Sequence, residues 1–348
     1  MERAGNRDVI VIGAGVVGLA VASELAGRGN DVLVLDAGRP GHLLGSSKGL
    51  SRMRVPAAFP DDSYLDRGRR AGELWRALED ESGTEILAPT GCLSWGEGQA
   101  DLEAGLVRHG IEHEIWDSGD VQRRVPAMTL PAGVDAIYQP GTETVLADAA
   151  LEVLLGTALG RGVELQEDTP VVSIEPDDAG VTLRTGHGPV RAETAILCAG
   201  AWMPGLLAGL GIAAPLTVTS QTVAYFELTG GGPIPGLIQY GSPDPYALWS
   251  PDGLLKASLH APGQEVEPGT IQDPDPQTVD AVAEWVDQLF GKAVASRLVR
   301  TETCNYTSTP DERFVIERHG RIVVASACSG QGFQYAPDTA ERVAALVS

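Results

Sequence analysis

DVIVIGAGVVGLAVASELAGRGNDVLVLD, residues 8 to 36, is the part of this chain from which its fold can be predicted. The run from Asp8 to Gly13 is short, branched and apolar and ends in glycine, which indicates a buried parallel strand. A helix from Val16 to Arg28 and a second strand from Asp31 to Asp36 are predicted to follow it. The chain therefore opens with a β-α-β unit.

Glycines occupy the turn between the first strand and the helix, where Gly13, Gly15 and Gly18 form the pattern G-x-G-x-x-G. The first permits a tight turn, the second lets a pyrophosphate approach the backbone, and the third lets helix and strand pack closely. The helix N-terminus offers N–H groups and a partial positive charge to the phosphates. Asp36 ends the second strand, about where an acid bonds ribose hydroxyls. The unit predicts a bound dinucleotide but does not distinguish NAD from FAD.

Composition excludes several classes of function. The formal net charge of −22 over 348 residues repels nucleic acid and anionic membranes, since binding to both depends on Lys and Arg. No apolar run approaches the roughly 18 residues of a membrane span, and the short charged leader lacks the plan of a secretory signal. We therefore expect a cytoplasmic protein with a small neutral or cationic substrate.

The cysteines show neither CxxC pairing nor metal-type spacing, so neither a disulfide framework nor a metal site is expected. Cys198 is expected in the core of a strand, and Cys92 and Cys328 receive no role.

Beyond the opening unit, helical and strand patterns alternate along the chain. Helices are predicted over 62–82, 148–160 and 276–290 and from residue 337 onward. Strands are predicted over 91–97, 171–176, 180–185, 194–200 and 321–327, with a run of alternating strands between 217 and 260.

Several further segments occur in a fixed order and carry a resemblance. They are GSSKGLSR (45–52), CAGAW (198–202), LKASLH (255–260), CNYTSTPDERFVIE (304–317) and SGQGFQY (329–335). Together with the opening unit they resemble the monomeric sarcosine oxidase and N-methyltryptophan oxidase branch of the FAD-dependent amino-acid oxidase (DAO) family, over nearly the whole chain.

The resemblance implies a two-domain fold, which agrees with the alternation read from the residues. The fold class is α/β of the α+β two-domain kind: a Rossmann-like FAD-binding domain interleaved with a mixed-sheet substrate domain that roofs the flavin. We expect the first domain over 1–83, 140–213 and 311–348, and the second over 84–139 and 214–310.

The resemblance also implies roles at the flavin. The cysteine matching Cys304 carries a thioether to the flavin 8α-methyl carbon, although by residue type alone Cys304 would be an ordinary buried thiol. The lysine matching Lys256 promotes the reaction with O2, because a fixed cation in a dry site stabilises superoxide; the alternative is a surface lysine. The catalytic candidates are Lys256, Arg52, Lys48 (histidine in the resembled enzymes), His260 and Tyr306. For His260 and Tyr306 the alternative is a side chain that only makes hydrogen bonds within a sheet.

Tyr246 and Trp249 are further candidates for lining the substrate pocket.

The residues expected to hold the cofactor are spread along the whole chain. The cofactor-binding candidates are Gly13, Gly15, Val16, Val17, Gly18, Asp36, Ala37, Ser46, Ser47, Arg52, Val172, Gly200, Trp202, Cys304, Gly330, Gln331, Gly332, Phe333 and Gln334.

Two positions depart from the resembled branch, which clamps the substrate carboxylate between an arginine and a lysine, since paired cations satisfy both oxygens of a buried anion. The lysine position is Gln334 here, and the arginine position is Val55, with Arg54 one residue away. We therefore expect a substrate without a free α-carboxylate, unless a local shift brings Arg54 into the clamp.

The sequence thus predicts an FAD-dependent oxidase of a secondary or N-methyl amine that forms an imine and hydrogen peroxide, with FAD attached through Cys304. The expected partners are a small-molecule amine and O2, with no nucleic acid and no membrane, and the protein is expected to be a monomer. The alternatives are a flavin dehydrogenase, a desaturase or other oxidising enzyme of a biosynthetic pathway, a sarcosine-type oxidase with a shifted clamp, and a flavoprotein without turnover. An NAD dehydrogenase would leave the second half of the chain unexplained.

Overall fold

The computed structural model describes residues 7–56, 62–228, 232–291, 297–327 and 329–347. The predicted helices over 62–82 and 276–290 are confirmed at both ends. The helices are α1 (Val16–Gly27), α2 (Asp62–Ser82), α3 (Gln99–Arg108), α4 (Ser118–Arg124), α5 (Ala147–Gly160), α6 (Met203–Leu210), α7 (Pro276–Phe290) and α8 (Ala336–Val347), with a 3-10 turn over Gly200–Trp202. The strands are β1 (Arg7–Ile12), β2 (Val32–Leu35), β3 (Ser51–Arg54), β4 (Leu87–Pro89), β5 (Cys92–Gly96), β6 (Glu114–Trp116), β7 (Ala136–Gln139), β8 (Glu143–Leu146), β9 (Glu164–Gln166), β10 (Val171–Asp177), β11 (Gly180–Thr185), β12 (Gly188–Leu197), β13 (Thr217–Glu227), β14 (Gly236–Tyr240), β15 (Pro245–Trp249), β16 (Leu254–Leu259), β17 (Gln264–Glu265), β18 (Leu298–Ser308), β19 (Val315–His319) and β20 (Ile322–Ser326).

The first sheet is built around the opening unit. β1 lies between β2 and the second half of β12 and is parallel to both, and β9 and β20 extend the parallel part on either side. Val9 and Val11 pack on one face of β1, beneath α1, α5 and α8, while Ile10 and Ile12 pack on the other. Burial on both faces is what the branched apolar run predicted.

The second sheet runs in the order β17-β13-β16-β15-β14-β5-β7-β6, with β18 paired to β13. One face packs on α7, which begins at Pro276 after Asp275 accepts hydrogen bonds from the N–H groups of Gln277 and Thr278. Along β16, Leu255 and Ala257 belong to this core. The other face is therefore left to line the site described below.

A small sheet of β3, β8 and β4 holds the end of the GSSKGLSR segment and the two residues after it. The strands of the second sheet all lie within 84–139 and 214–310. The predicted domain boundaries themselves stay a proposal.

Two sequence-based expectations need correction or qualification. The strand predicted over 194–200 is the end of the longer β12, which stops before Cys198, so this cysteine lies just beyond the strand. Cys328 lies outside the described residues.

No helix within the described residues is long and apolar enough to cross a membrane. Across the same residues there is no group of three or more His, Cys, Asp or Glu side chains that could hold a metal ion.

Candidate active site

A cavity of about 800 Å³ is lined by residues of both large sheets. Its size falls within the roughly 300–1,000 Å³ typical of cofactor and ligand sites. Every cofactor-binding candidate except Gly18 lines it, as do the catalytic candidates Lys256, Arg52, Lys48, His260 and Tyr306. Val172 lines the cavity at the protein surface, where 74% of the residue is exposed.

Two glycines of the turn, Gly13 and Gly18, leave no room for a side chain. Gly13 has φ +107°, and a Cβ there would lie 2.5 Å from the carbonyl oxygen of Cys198. A Cβ on Gly18 would lie 1.8 Å from the Gly13 oxygen. Gly18 is absent from the cavity lining and serves the close packing of helix against strand, and its role as a cofactor-binding residue stays a prediction.

The N-terminus of α1 opens on the cavity. Gly15 is its N-cap and has no side chain to cap the helix, and Gly15, Val16 and Val17 all line the cavity. Backbone N–H groups and the positive end of the helix dipole therefore meet whatever occupies this end. The glycine cradle and this helix end fit the pyrophosphate of a dinucleotide.

Asp36 lies buried beside this helix end. Its carboxylate accepts hydrogen bonds from the N–H groups of Ala14 (2.6 Å) and Gly38 (2.8 Å). A carboxylate has about four acceptor sites, so these two bonds leave capacity for ribose hydroxyls. His42, which the sequence did not single out, has its Nε2 3.6 Å from Asp36 Oδ1 and its ring 5.9 Å from that of Trp202.

The GSSKGLSR loop is hydrogen-bonded to the N-terminus of α1 and to β18 of the second sheet. Ser47 Oγ accepts a hydrogen bond from the Val16 N–H at 3.0 Å, and Ser46 Oγ donates one to the carbonyl of Asn305 in β18 at 2.7 Å. The Arg52 guanidinium donates to carbonyls of its own loop and lies 5.4 Å from the Phe333 ring. The loop therefore presents a fixed cation to the cavity.

Lys256 projects from the free face of the second sheet. Its side chain is buried, at 7% exposure, and Nζ donates a hydrogen bond to the carbonyl of Ser51 at 2.9 Å. The surface-lysine alternative is therefore wrong. Burial, and next the charge of Arg52, lower the pKa of Lys256 to about 7.

Cys304 and Tyr306 lie on the same face of β18. Cys304 is a free, half-buried thiol in the cavity wall. Burial raises the pKa of Tyr306 and of its hydrogen-bonding neighbour Tyr246. Trp249, the other pocket candidate of β15, is absent from the lining, and its indole N–H has no partner within the described residues.

His260 directly follows β16 and lines the cavity. Its Nε2 lies 3.6 Å from Glu312 Oε1, and this carboxylate raises the pKa of the imidazole. Glu312 sits at φ +58°, a backbone conformation that is rare for a residue with a side chain.

The two positions of the expected carboxylate clamp contact each other. Gln334 Oε1 accepts a hydrogen bond from the Val55 N–H at 3.0 Å, and both residues are buried in the cavity wall. Arg54 instead pairs with Glu143 and donates to the carbonyl of Gly141 at 2.8 Å. Arg54 does not line the cavity, so the shifted clamp considered from the sequence does not form here.

Carboxylates also line the cavity, and the sequence reasoning missed them: Asp244, Glu302 and Glu312. Glu302 could have been found, because it stands two residues before Cys304 and strand alternation puts both on one face. Asp244 had no such signal, since it lies outside the strands, directly before β15.

The sequence of this chain matches one protein family and is similar to enzymes of known activity. The model of the family described as FAD dependent oxidoreductase matches residues 8–346. A monomeric sarcosine oxidase of Streptomyces avermitilis is 31% identical over an alignment of 362 positions that covers 97% of this chain and 93% of that protein. An N-methyl-L-tryptophan oxidase of Yersinia pestis is 27% identical, with coverage of 97% and 94%.

Among solved structures, the open form of NikD has a TM-score of 0.88 at 24% identity, covering 99% of this chain and 94% of that one. NikD is described as an unusual amino acid oxidase essential for nikkomycin biosynthesis. At this level of identity the similarity shows the shared fold.

Proposed function

The chain belongs to the family of FAD-dependent oxidoreductases, and we propose that it oxidises a secondary or N-methyl amine that lacks a free α-carboxylate. The observation that carries the second half of this proposal is the hydrogen bond between Gln334 and Val55. A carboxylate bound there would meet an amide and an aliphatic side chain in place of two cations. Loss of such pairing at a buried anion costs on the order of a few kcal/mol of binding.

FAD occupies the cavity in this proposal. Its ADP half is held by the glycine turn, the N-terminus of α1 and Asp36, and its flavin by the loop with Lys48 and Arg52, by the segment 330–334 and by the face of the second sheet that carries Lys256 and Cys304. When bound, FAD supplies a hydride acceptor for the carbon beside the amine nitrogen and a donor of two electrons to O2.

The chain's own residues prepare the amine for this reaction. Only the neutral amine has the lone pair that drives removal of the hydride, so its pKa must be lowered in the site. Lys48, Arg52 and Lys256 lie in the part of the cavity proposed for the flavin, and positive charge beside the amine disfavours its ammonium form. The expected product is an imine, which is released or hydrolysed.

Three finer features belong to the same proposal. We expect FAD to be attached through Cys304, because this thiol lines the cavity on the face that carries Lys256. The monomeric state and the cytoplasmic location stay predictions.

Steady-state peroxide formation tests the substrate class. Purified protein is given sarcosine and, in parallel, secondary and N-methyl amines of similar size that have no carboxylate. We expect kcat/KM to favour the carboxylate-free amines by at least about tenfold, the equivalent of about 1.4 kcal/mol. Efficient turnover of sarcosine would refute the proposed substrate class.

Anaerobic reduction by the best amine, followed by mixing with O2, separates an oxidase from a dehydrogenase. Rapid return of the oxidised flavin spectrum supports an oxidase. Slow reoxidation would favour the dehydrogenase alternative.

A further inference from the structure

We propose that Glu302 is a positioning residue that holds Lys256 in its charged form and so sets the pH range over which this protein reduces O2. The proposal rests on the proposed oxidase function of the same site. In the reaction concerned, two electrons leave the reduced cofactor, and O2 takes them up with two protons to give H2O2. A fixed cation helps because negative charge develops on the oxygen.

Strand register brings the two residues to one face. Tyr225 of β13 pairs with Lys256 of β16 on one side and with Arg300 of β18 on the other. Glu302 pairs with Val223, two residues before Tyr225. Lys256, Tyr225 and Glu302 all line the cavity, so the carboxylate and the ammonium lie on the same surface, separated by one strand.

The Glu302 carboxylate is held in place by its neighbours. Oε1 accepts a hydrogen bond from Arg300 Nε at 3.0 Å, and Oε2 accepts one from the Tyr225 hydroxyl at 3.2 Å. Arg300 is anchored in turn by Asp252 at 2.8 Å and lies 3.9 Å above the Tyr225 ring. A carboxylate bonded through both oxygens keeps one orientation.

The groups that face Lys256 do not all act in one direction. Burial, Arg52 of β3 and Arg300 of β18 lower the pKa of Lys256, whereas Cys304 and Glu302, both of β18, raise it. If Cys304 forms the proposed thioether, it carries no charge. Glu302 then remains as the counter-charge that offsets the two arginines among these groups.

The effect of Arg300 on the pKa of Lys256 depends on the Glu302 carboxylate. Arg300 pairs with Glu302 and Asp252 and lies across β13 from Lys256, on the other side of Tyr225. If the Glu302 charge is removed, the repulsion between the Arg300 guanidinium and the Lys256 ammonium loses the carboxylate that offsets it. The Glu302 side chain is 40% exposed, so solvent screens part of its effect. We therefore expect a shift of about one pH unit.

The test uses Glu302→Gln, which keeps the shape and an acceptor for Arg300 and Tyr225. The holoenzyme is reduced anaerobically with dithionite, so the measurement does not require the natural substrate, and is mixed with O2 in a stopped-flow instrument over a range of pH. We expect the wild-type rate to fall as pH rises through the pKa of Lys256, about 7. In Glu302→Gln this fall should occur about one unit lower, with equal rates at low pH.

Three further variants complete the experiment. Glu302→Asp should return the midpoint toward that of the wild type, and Lys256→Met should remove the pH step. Glu227→Gln, which neutralises an exposed carboxylate at the end of β13 outside the cavity lining, should leave the midpoint unchanged.

Each outcome decides the question. An unshifted midpoint in Glu302→Gln, or a rate lowered equally at every pH, overturns the role of Glu302 while leaving the oxidase function intact. Wild-type protein that fails to react with O2 overturns the oxidase function itself, and with it this inference.

Discussion

Gln334 Oε1 accepts a hydrogen bond from the Val55 N–H at 3.0 Å, although 279 residues separate them in the chain. Both are buried in the cavity wall. These are the positions at which the resembled amino-acid oxidases have a lysine and an arginine for the substrate carboxylate. The Gln334 side chain is therefore hydrogen-bonded to the Val55 backbone, and neither position presents a positive charge to an anion.

Gln334→Lys should begin to restore binding of a carboxylate. A charge-assisted bond to one oxygen is stronger than that from an amide, so we expect kcat/KM for sarcosine to rise about tenfold. The cost is an unpaired buried N–H at Val55, worth about 1–3 kcal/mol of stability. Steady-state peroxide assays and thermal melts measure the two effects.

Gln334→Met is the matched control for that variant. It leaves the Val55 N–H equally unpaired but brings no charge, so it should lose stability without gaining activity toward sarcosine. An equal gain in both variants would mean that the clamp positions do not select against carboxylates.

Arg54→Met should destabilise the protein without changing its choice of substrate. Arg54 is buried and pairs with Glu143, which keeps Arg76 at 2.6 Å as a second partner. Loss of one partner of a buried pair costs about 3 kcal/mol. Glu143→Gln breaks the same pair from the other side and serves as the control. A changed ratio of kcat/KM between sarcosine and carboxylate-free amines in Arg54→Met alone would assign Arg54 to the substrate.

Cys304→Ser should release the flavin. After acid precipitation, yellow colour is expected in the pellet of the wild-type protein and in the supernatant of this variant. Cys92→Ser is the control, because Cys92 is fully buried outside the cavity lining and burial raises its pKa to about 12. If the wild-type flavin itself moves to the supernatant, the proposed attachment is wrong.

Glu312→Gln should lower stability in a limited range of pH. Glu312 raises the pKa of His260 above 6.5, so the contribution of the imidazole is fully present below that value and is lost as pH rises through the folded-state pKa. His260 in turn lowers the pKa of Glu312 below 4.5, so the contribution of this carboxylate is present above 4.5 and is lost as pH falls through its folded-state pKa. The pair therefore stabilises most between about pH 4.5 and 6.5.

Because both side chains are partly exposed, the effect of Glu312→Gln should be about 0.2–1 kcal/mol. Thermal melts across this range measure it. Glu317→Gln affects a more exposed histidine pair, with His319, and should have a smaller effect. A loss in Glu312→Gln that persists unchanged at alkaline pH would show that the ion pair is not its cause.

Much of the scaffold could be predicted from local signals. Gly18 is dictated by its contact with the nearby backbone oxygen of Gly13, and Gly13 by its positive φ, so residue type and spacing reveal both. The helices over 62–82 and 276–290 follow from apolar periodicity within one element. Most of the candidate site residues could be named because they lie in short segments whose order resembles one enzyme family.

The remaining features of the candidate site depended on strand register and side-chain direction. Whether Lys256 faced water or the cavity depended on which face of the second sheet α7 covers, and that choice places Leu255 and Ala257 in the core. Glu302 lies on the same surface as Lys256 because β13 pairs with both of their strands.

The sequence alone, through its local patterns and family resemblance, therefore determined that the chain binds FAD and where its turn glycines and main helices lie. Only the tertiary structure decided that Arg54 turns to Glu143, that Gln334 turns to Val55, and that Glu302 belongs to the cavity. The physical reason is that these contacts join residues far apart in the chain. Their geometry depends on how the sheets are paired and packed, and no local pattern of residues encodes it.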